Sequence, residues 1–159
     1  MADYDDFFSA SAAIATVEVL DVEAMELLFR LECSGEDFYN ALADRIGDSR
    51  AAELLRKNGR EEMGHARRHE RAIAIKLGGE YAPSDAVRER FAIPLPDTIS
   101  NDLLPIIVKA ELDGDAGYQR WADAEGDPEV ARLLRLNGRE ETVHGERVAE
   151  ALAILEASA

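Results

Sequence analysis

A repeated Glu-x-x-His motif constrains this chain more than any other feature. Glu62-Met63-Gly64-His65 has a twin in Glu141-Thr142-Val143-His144, at an offset of 79 residues from position 62 to position 141. The surroundings match too. Leu55-Arg56-Lys57-Asn58-Gly59-Arg60-Glu61-Glu62 stands against Leu134-Arg135-Leu136-Asn137-Gly138-Arg139-Glu140-Glu141. Upstream, the same offset carries Glu32 onto Glu111, Gly35 onto Gly114, Tyr39 onto Tyr118 and Gly47-Asp48 onto Gly126-Asp127. Each half therefore holds one Glu followed 30 residues later by Glu-x-x-His. Residues three apart are neighbours on a helix surface, so each Glu and His pair shares one face. The chain reads as a duplicated helical hairpin.

Apolar periodicity extends this to four long helices. The first is expected over 21–46, with Met25, Leu28, Glu32, Gly35, Tyr39, Leu42 and Ile46 along its inward seam. Gly47 is expected to end it with a positive φ, and Asp48 or Ser49 to cap the second helix. That helix carries Leu55, Asn58, Glu62, His65, His69 and Ala72 inward and ends near Gly78-Gly79. Residues 80–100 contain Pro83, Pro94 and Pro96 and lose the periodicity, apart from a short helix expected near 85–91. A connection of this length can run back along a helix, because extended chain spans roughly 3.3 Å per residue and helix about 1.5 Å. It predicts that the second and third long helices are parallel. The third starts near Asn101 or Asp102, carries Leu104, Ile107, Glu111, Gly114, Tyr118 and Trp121, and closes at Gly126. Asp127-Pro128 is a cap followed by proline at the first helical position. The fourth helix carries Leu134, Asn137, Glu141, His144, Val148, Ala151 and Leu155. Residues 1–20 form an N-terminal arm, expected to be mobile or loosely docked, and 21–159 form one all-α bundle.

Glu32, Glu62, His65, Glu111, Glu141 and His144 all fall on apolar seams. One such glutamate in an acidic protein means little. Six residues related by a single offset point to a shared purpose. Burying an isolated carboxylate costs several kcal/mol even after relaxation, on the order of what a domain can spare. Four close together repel, and some take up protons instead. Two divalent cations cancel four carboxylates, and two ferric ions with an oxide bridge do the same. Oxygen and imidazole donors suit iron or manganese better than the thiolate sites of structural zinc. Glu32 and Glu111 are the expected terminal ligands, and Glu62 and Glu141 the expected bridges.

The rest of the composition narrows the field. A formal net charge of −15 argues against nucleic acid or an anionic membrane as partner. Cys33 is the single cysteine, so no Cys-x-x-Cys knuckle exists and a reducing, cytoplasmic setting is the simplest reading. No apolar run approaches the ~20 residues of a transmembrane helix.

Over about residues 21–157, these motifs resemble the rubrerythrin-type branch of the ferritin-like di-iron superfamily. In that class each of two bundle helices gives a Glu, and each of the other two gives Glu-x-x-His. The resemblance implies a four-helix bundle with one long crossover, two iron ions (manganese or zinc as substitutes) and an oxidoreductase using peroxide or oxygen, or oxidising ferrous iron. The alternatives are a non-catalytic iron-handling protein and a di-iron hydroxylase. In the family a tyrosine seven residues after the first glutamate lies beside the site, and Tyr39 matches it. Two features depart from rubrerythrins proper. Their rubredoxin domain carries paired Cys-x-x-Cys motifs, and their extra glutamate stands where this chain has Gly114. The enzyme reading therefore calls for an external electron-donor protein. A homodimer is also expected, because Leu27, Ile73, Ile75 and Leu77 lie off the seams.

Tyr39 and Tyr118 are the candidate catalytic residues, either bonding ligand carboxylates or acting as redox-active phenols. The resemblance also pairs Glu140 with His65 and Glu61 with His144 across helices. His69 has Val148 in place of a twin and reads as structural.

Overall fold

The computed structural model describes residues 4–158. Among the described residues there are six helices: α1 (Phe7–Ile14), α2 (Val22–Arg45), α3 (Ser49–Leu77), α4 (Asp85–Arg88), α5 (Leu103–Ala124) and α6 (Pro128–Ala157). The four long ones start where the sequence supplies caps. Asp21 accepts from the Ala24 N–H, Asp48 from those of Arg50 and Ala51, and Asp127 from those of Glu129 and Val130, with Pro128 in the first turn. The α5 cap, Asp102, makes no such side-chain bond.

The helix ends depart from expectation at Gly47. Among the described residues only Gly78, at the end of α3, has a positive φ (68°). There the Gly78 and Gly79 N–H groups bond back to Ile75 and Ala74. α2 ends instead when Ile46 turns extended (φ −97°, ψ 146°), and α5 does so at Glu125. Each must feed at once into the aspartate that caps the next helix, and an extended residue makes that reversal within three positions.

α2 with α3 and α5 with α6 form two antiparallel hairpins. They join along α3 and α6, which also run antiparallel: Asn58 reaches the His144 carbonyl, while Arg71 reaches Glu129. Tyr39 and Tyr118 of α2 and α5 bond Glu111 and Glu32 in the same opposed sense. α3 and α5 are therefore parallel, and the chain from Gly78 to Asp102 is the long crossover. It is tied down on α2. Arg90 pairs with Glu36 (2.9 Å) and Asp37 (3.2 Å), the Phe91 N–H donates to Ser34 (2.9 Å), and Arg30 lies over the Phe91 ring.

The segment expected as a mobile or loosely docked arm contains α1, which is packed in place. Asp6 and Ser9 form a capping box, Phe7 stacks on Phe38 (5.4 Å), the Phe7 N–H donates to Ala92, and Ala10 and Ile14 are buried. These contacts join residues far apart in sequence, which is why the Ala/Ser-rich composition suggested a looser segment. Leu27 and Ile73, offered as uncovered apolar groups for a dimer, are buried within the chain, while Leu77 is exposed.

The core is split. Met25, Leu28, Ile73, Trp121 and Leu134 pack at one end, and Leu42, Leu55, Leu104, Val148 and Ala151 at the other. Full burial of each large aliphatic side chain is worth about 1.5–3 kcal/mol. Between these two apolar plugs lies a polar layer.

Candidate metal centre

α2 brings Glu32 to this layer, α3 Glu62 and His65, α5 Glu111, and α6 Glu141 and His144. His65 and His144 are fully buried, and Glu32, Glu62 and Glu141 nearly so. The imidazoles stack face to face at 5.2 Å. Nδ1 of His65 lies 3.5 Å from Glu32, 3.4 Å from Glu62 Oε2 and 3.4 Å from Glu141 Oε1. Nδ1 of His144 lies 3.3 Å from Glu62 Oε1 and 3.3 Å from Glu141 Oε2. Glu62 and Glu141 thus present opposite oxygens to the two imidazoles. Two donor sets result: Glu32, Glu62, His65 and Glu141, and Glu62, Glu111, Glu141 and His144, each with its donor atoms within 4.8 Å of one another.

Both Nδ1 atoms are buried and make no hydrogen bond, despite facing these oxygens. A buried polar atom without a partner is costly. Pointing it into a ring of carboxylates makes sense when a cation sits between them, so the residues present fit a pair of metal ions. The outer nitrogens are committed elsewhere. Nε2 of His65 lies 2.9 Å from Glu140, and Nε2 of His144 lies 3.2 Å from Glu61, the cross-helix pairing expected above. Such a partner fixes the ring orientation and the tautomer of a metal-binding histidine.

Sequence reasoning missed the next layer. Arg68 clamps both oxygens of Glu140 (2.8 Å each) and donates to Asn137 (2.9 Å). Arg147 does the same to Glu61 (2.6 and 3.1 Å) and Asn58 (3.0 Å). Asn58 and Asn137 in turn donate to the backbone carbonyls of His144 and His65. Arg68 and Arg147 are related by the 79-residue offset, so extending the repeat three residues past the motif would have exposed them.

Tyr39 donates to Glu111, and Tyr118 to Glu32, each across to the opposite hairpin. His69 is more than structural filling: its Nε2 lies 2.7 Å from the Tyr118 hydroxyl and 3.7 Å from Glu32. Gly35 leaves room for the Glu62 side chain. A Cβ there would stand 3.2 Å from the Glu62 carboxylate carbon.

The electrostatics show what the layer does without cations. Burial and the facing Glu141 charge push Glu62 up to about 7. The same two causes raise Glu111 well above the carboxylate range. Burial opposes charge on the imidazoles, yet the neighbouring carboxylates win: His65 is held well above its ordinary value, and His144 rises to about 10. Burial also opposes charge on Glu141, but the His65 charge brings it down to about 2. Protons thus neutralise the layer, in the places where metal ions would otherwise do so.

A four-helix bundle with one crossover and a buried, duplicated Glu/Glu-x-x-His set defines the ferritin-like di-iron carboxylate class. Within it, the family model described as Rubrerythrin matches residues 23–152, and the chain belongs to that family. No curated protein and no solved structure matches the chain.

Proposed function

We propose that this protein is a di-iron oxidoreductase that reduces peroxide or oxygen, or oxidises ferrous iron, and draws electrons from an external donor protein. The observation that supports this reading best is the division of the Glu62 and Glu141 oxygens between two four-donor sets. Two iron ions, when bound by these residues, would supply the two-electron chemistry by which peroxide and two protons become two waters. The chain's own residues prepare the layer. Arg68 with Glu140, and Arg147 with Glu61, hold each imidazole with Nδ1 inward. Tyr39 and Tyr118 stop Glu111 and Glu32 from rotating, and burial raises both phenols far above neutrality, so they keep their protons as donors. The apolar plugs close the layer at its two ends. Manganese or zinc can take the same donors as substitutes.

The test is to load the chain anaerobically with ferrous iron, count bound ions, then supply peroxide or oxygen with a reductant. Two ions per chain and turnover of the oxidant are expected. Accumulation of many ions per chain without turnover would favour iron handling, and fewer than two ions would sink the reading.

A further inference from the structure

We infer that the space between α2 and α5 is a binding site for an uncharged, mainly hydrocarbon small molecule, held against the carboxylate layer. The inference takes its catalytic meaning from the proposed metal centre, but its test does not depend on it.

The bundle is not closed equally on its sides. α2 packs on α3, α5 on α6 and α3 on α6, yet no Cα of α2 comes within 8 Å of a Cα of α5. Packed helices lie with axes about 8–10 Å apart, close enough for their backbones to approach. Here the two Tyr–Glu hydrogen bonds span the gap instead. The α3–α6 side, by contrast, is sealed by Arg68, Arg147, Asn58 and Asn137. The duplication has therefore produced one closed face and one open face, and only the open one leads to the metal-binding oxygens.

A cavity of about 500 Å³ fills this gap. Its walls include Phe7 and Ile14 of α1, Leu31 and Phe38 of α2, and Ile107 and Trp121 of α5. Its floor is formed by Glu32, Glu62, Glu111 and Glu141 with the two tyrosines. Mostly apolar walls, a few convergent polar groups at one end and a volume within roughly 300–1,000 Å³ are the marks of a small-molecule site. α1 forms part of the mouth, and its own packing on Phe38 and the crossover holds it there.

Charge selects the occupant. The chain carries −15, which disfavours an anion. Once two cations neutralise the floor, the remaining carboxylate of the lining, Asp113, is already paired with Lys109 (2.5 Å), which leaves little for a further cation. The wall hydroxyl of Ser11 is already spent on the Phe7 carbonyl (2.8 Å). A second copy of the chain fits less well. It brings another −15, and a convex protein face cannot follow a cavity down to carboxylates that are 7% exposed or less at Glu32, Glu62 and Glu141.

The experiment uses the full metal-loaded chain and N-phenyl-1-naphthylamine, an uncharged apolar fluorophore that brightens on leaving water. Its anionic relative 8-anilinonaphthalene-1-sulfonate serves as comparison. Ala12 on α1 and Ala110 on α5 are exposed and line the mouth from opposite walls, and neither is itself a metal-binding residue. Ala12→Trp and Ala110→Trp should therefore block it without disturbing the layer. The wild type should take one neutral fluorophore per chain, and more tightly than the anionic one. Each variant should weaken binding at least about tenfold, as expected when pocket shape excludes part of a ligand. Both should still bind two metal ions and melt cooperatively. Two bound ions with no fluorophore bound would overturn this inference and leave the metal centre standing. Fluorophore bound without metal would do the reverse. Unchanged binding in both variants, or equal binding of the anion, would refute the assigned site or its ligand class. A wild-type dimer that excludes the fluorophore and becomes monomeric in Ala110→Trp would show the face to be an interface between copies instead.

Discussion

Loading the polar layer with metal should expel protons, and the structure sets how many. Near pH 7 the metal-free layer holds His65 and His144 protonated, because their carboxylate neighbours raise both, His144 to about 10. Burial and the Glu141 charge push Glu111 toward its protonated form, and Glu62, at about 7, is close to half protonated. A metal ion needs the Nδ1 lone pair and ionised carboxylates, while the Nε2–H groups stay bonded to Glu140 and Glu61. Binding of two ions therefore releases at least about two to three protons. By linkage, the overall two-ion constant should fall at least about 10²- to 10³-fold from pH 7 to pH 6, or roughly 3–4 kcal/mol. Manganese(II) is a suitable reporter because it loads without redox chemistry. Calorimetric titration at fixed pH, in two buffers of different protonation enthalpy, counts the protons, and repeats between pH 6 and 8 give the slope. Release of about one proton or fewer per pair of ions, or an affinity independent of pH, would refute the reasoning. Either the imidazoles would then not be charged in the metal-free chain, or their inner nitrogens would not be donors.

Glu62→Ala should abolish paired metal binding, because it removes a charge shared by both donor sets, whereas Glu32→Ala should keep at least one ion; equal losses in metal titrations of the two variants would contradict the bridging assignment. Arg68→Met and Arg147→Met should each weaken metal binding about 10–100-fold with helicity unchanged by circular dichroism, since each frees the carboxylate that orients an imidazole. Arg147, 15% exposed against 26% for Arg68, should show the larger loss. The melting temperature of the metal-free chain should fall as pH rises. A folded-state His144 raised from 6.5 to about 10 contributes fully below 6.5 and fades toward 10, and Glu62, raised from 4.5 to about 7, fades across that lower window. Below about pH 4.5 the opposite loss sets in, as Glu141 and Glu140, both held down to about 2, take up protons. A metal-free melting temperature that climbs between pH 7 and 9, followed by scanning calorimetry, would count against these assignments.

The helices, their caps and the six residues that meet in the polar layer were legible in the sequence for one reason. Helical geometry repeats every 3.6 residues, so inward positions declare themselves locally, and the 79-residue duplication states each of them twice. Glu32 and Glu62 needed no knowledge of the fold to be recognised as unusual, because each sits where an apolar residue belongs. The crossover was legible as well, since length and proline content alone rule out a tight turn. What the tertiary structure decided involves partners far apart in sequence. Phe7 becomes a docked helix residue only because Phe38 and Ala92 lie beneath it. His69 gains a role because α5 brings the Tyr118 hydroxyl to it, a contact that its lack of a twin concealed. Arg68 and Arg147 were visible as a repeated pair, but only the antiparallel packing of α3 on α6 gave them Glu140 and Glu61 to hold. The open α2–α5 face showed in the sequence only as the paired seam glycines Gly35 and Gly114. Seam residues on both helices look ready to meet, and whether two seams touch or leave a cavity depends on helix separation, which is fixed by the summed packing of the whole bundle and not by any residue within one helix.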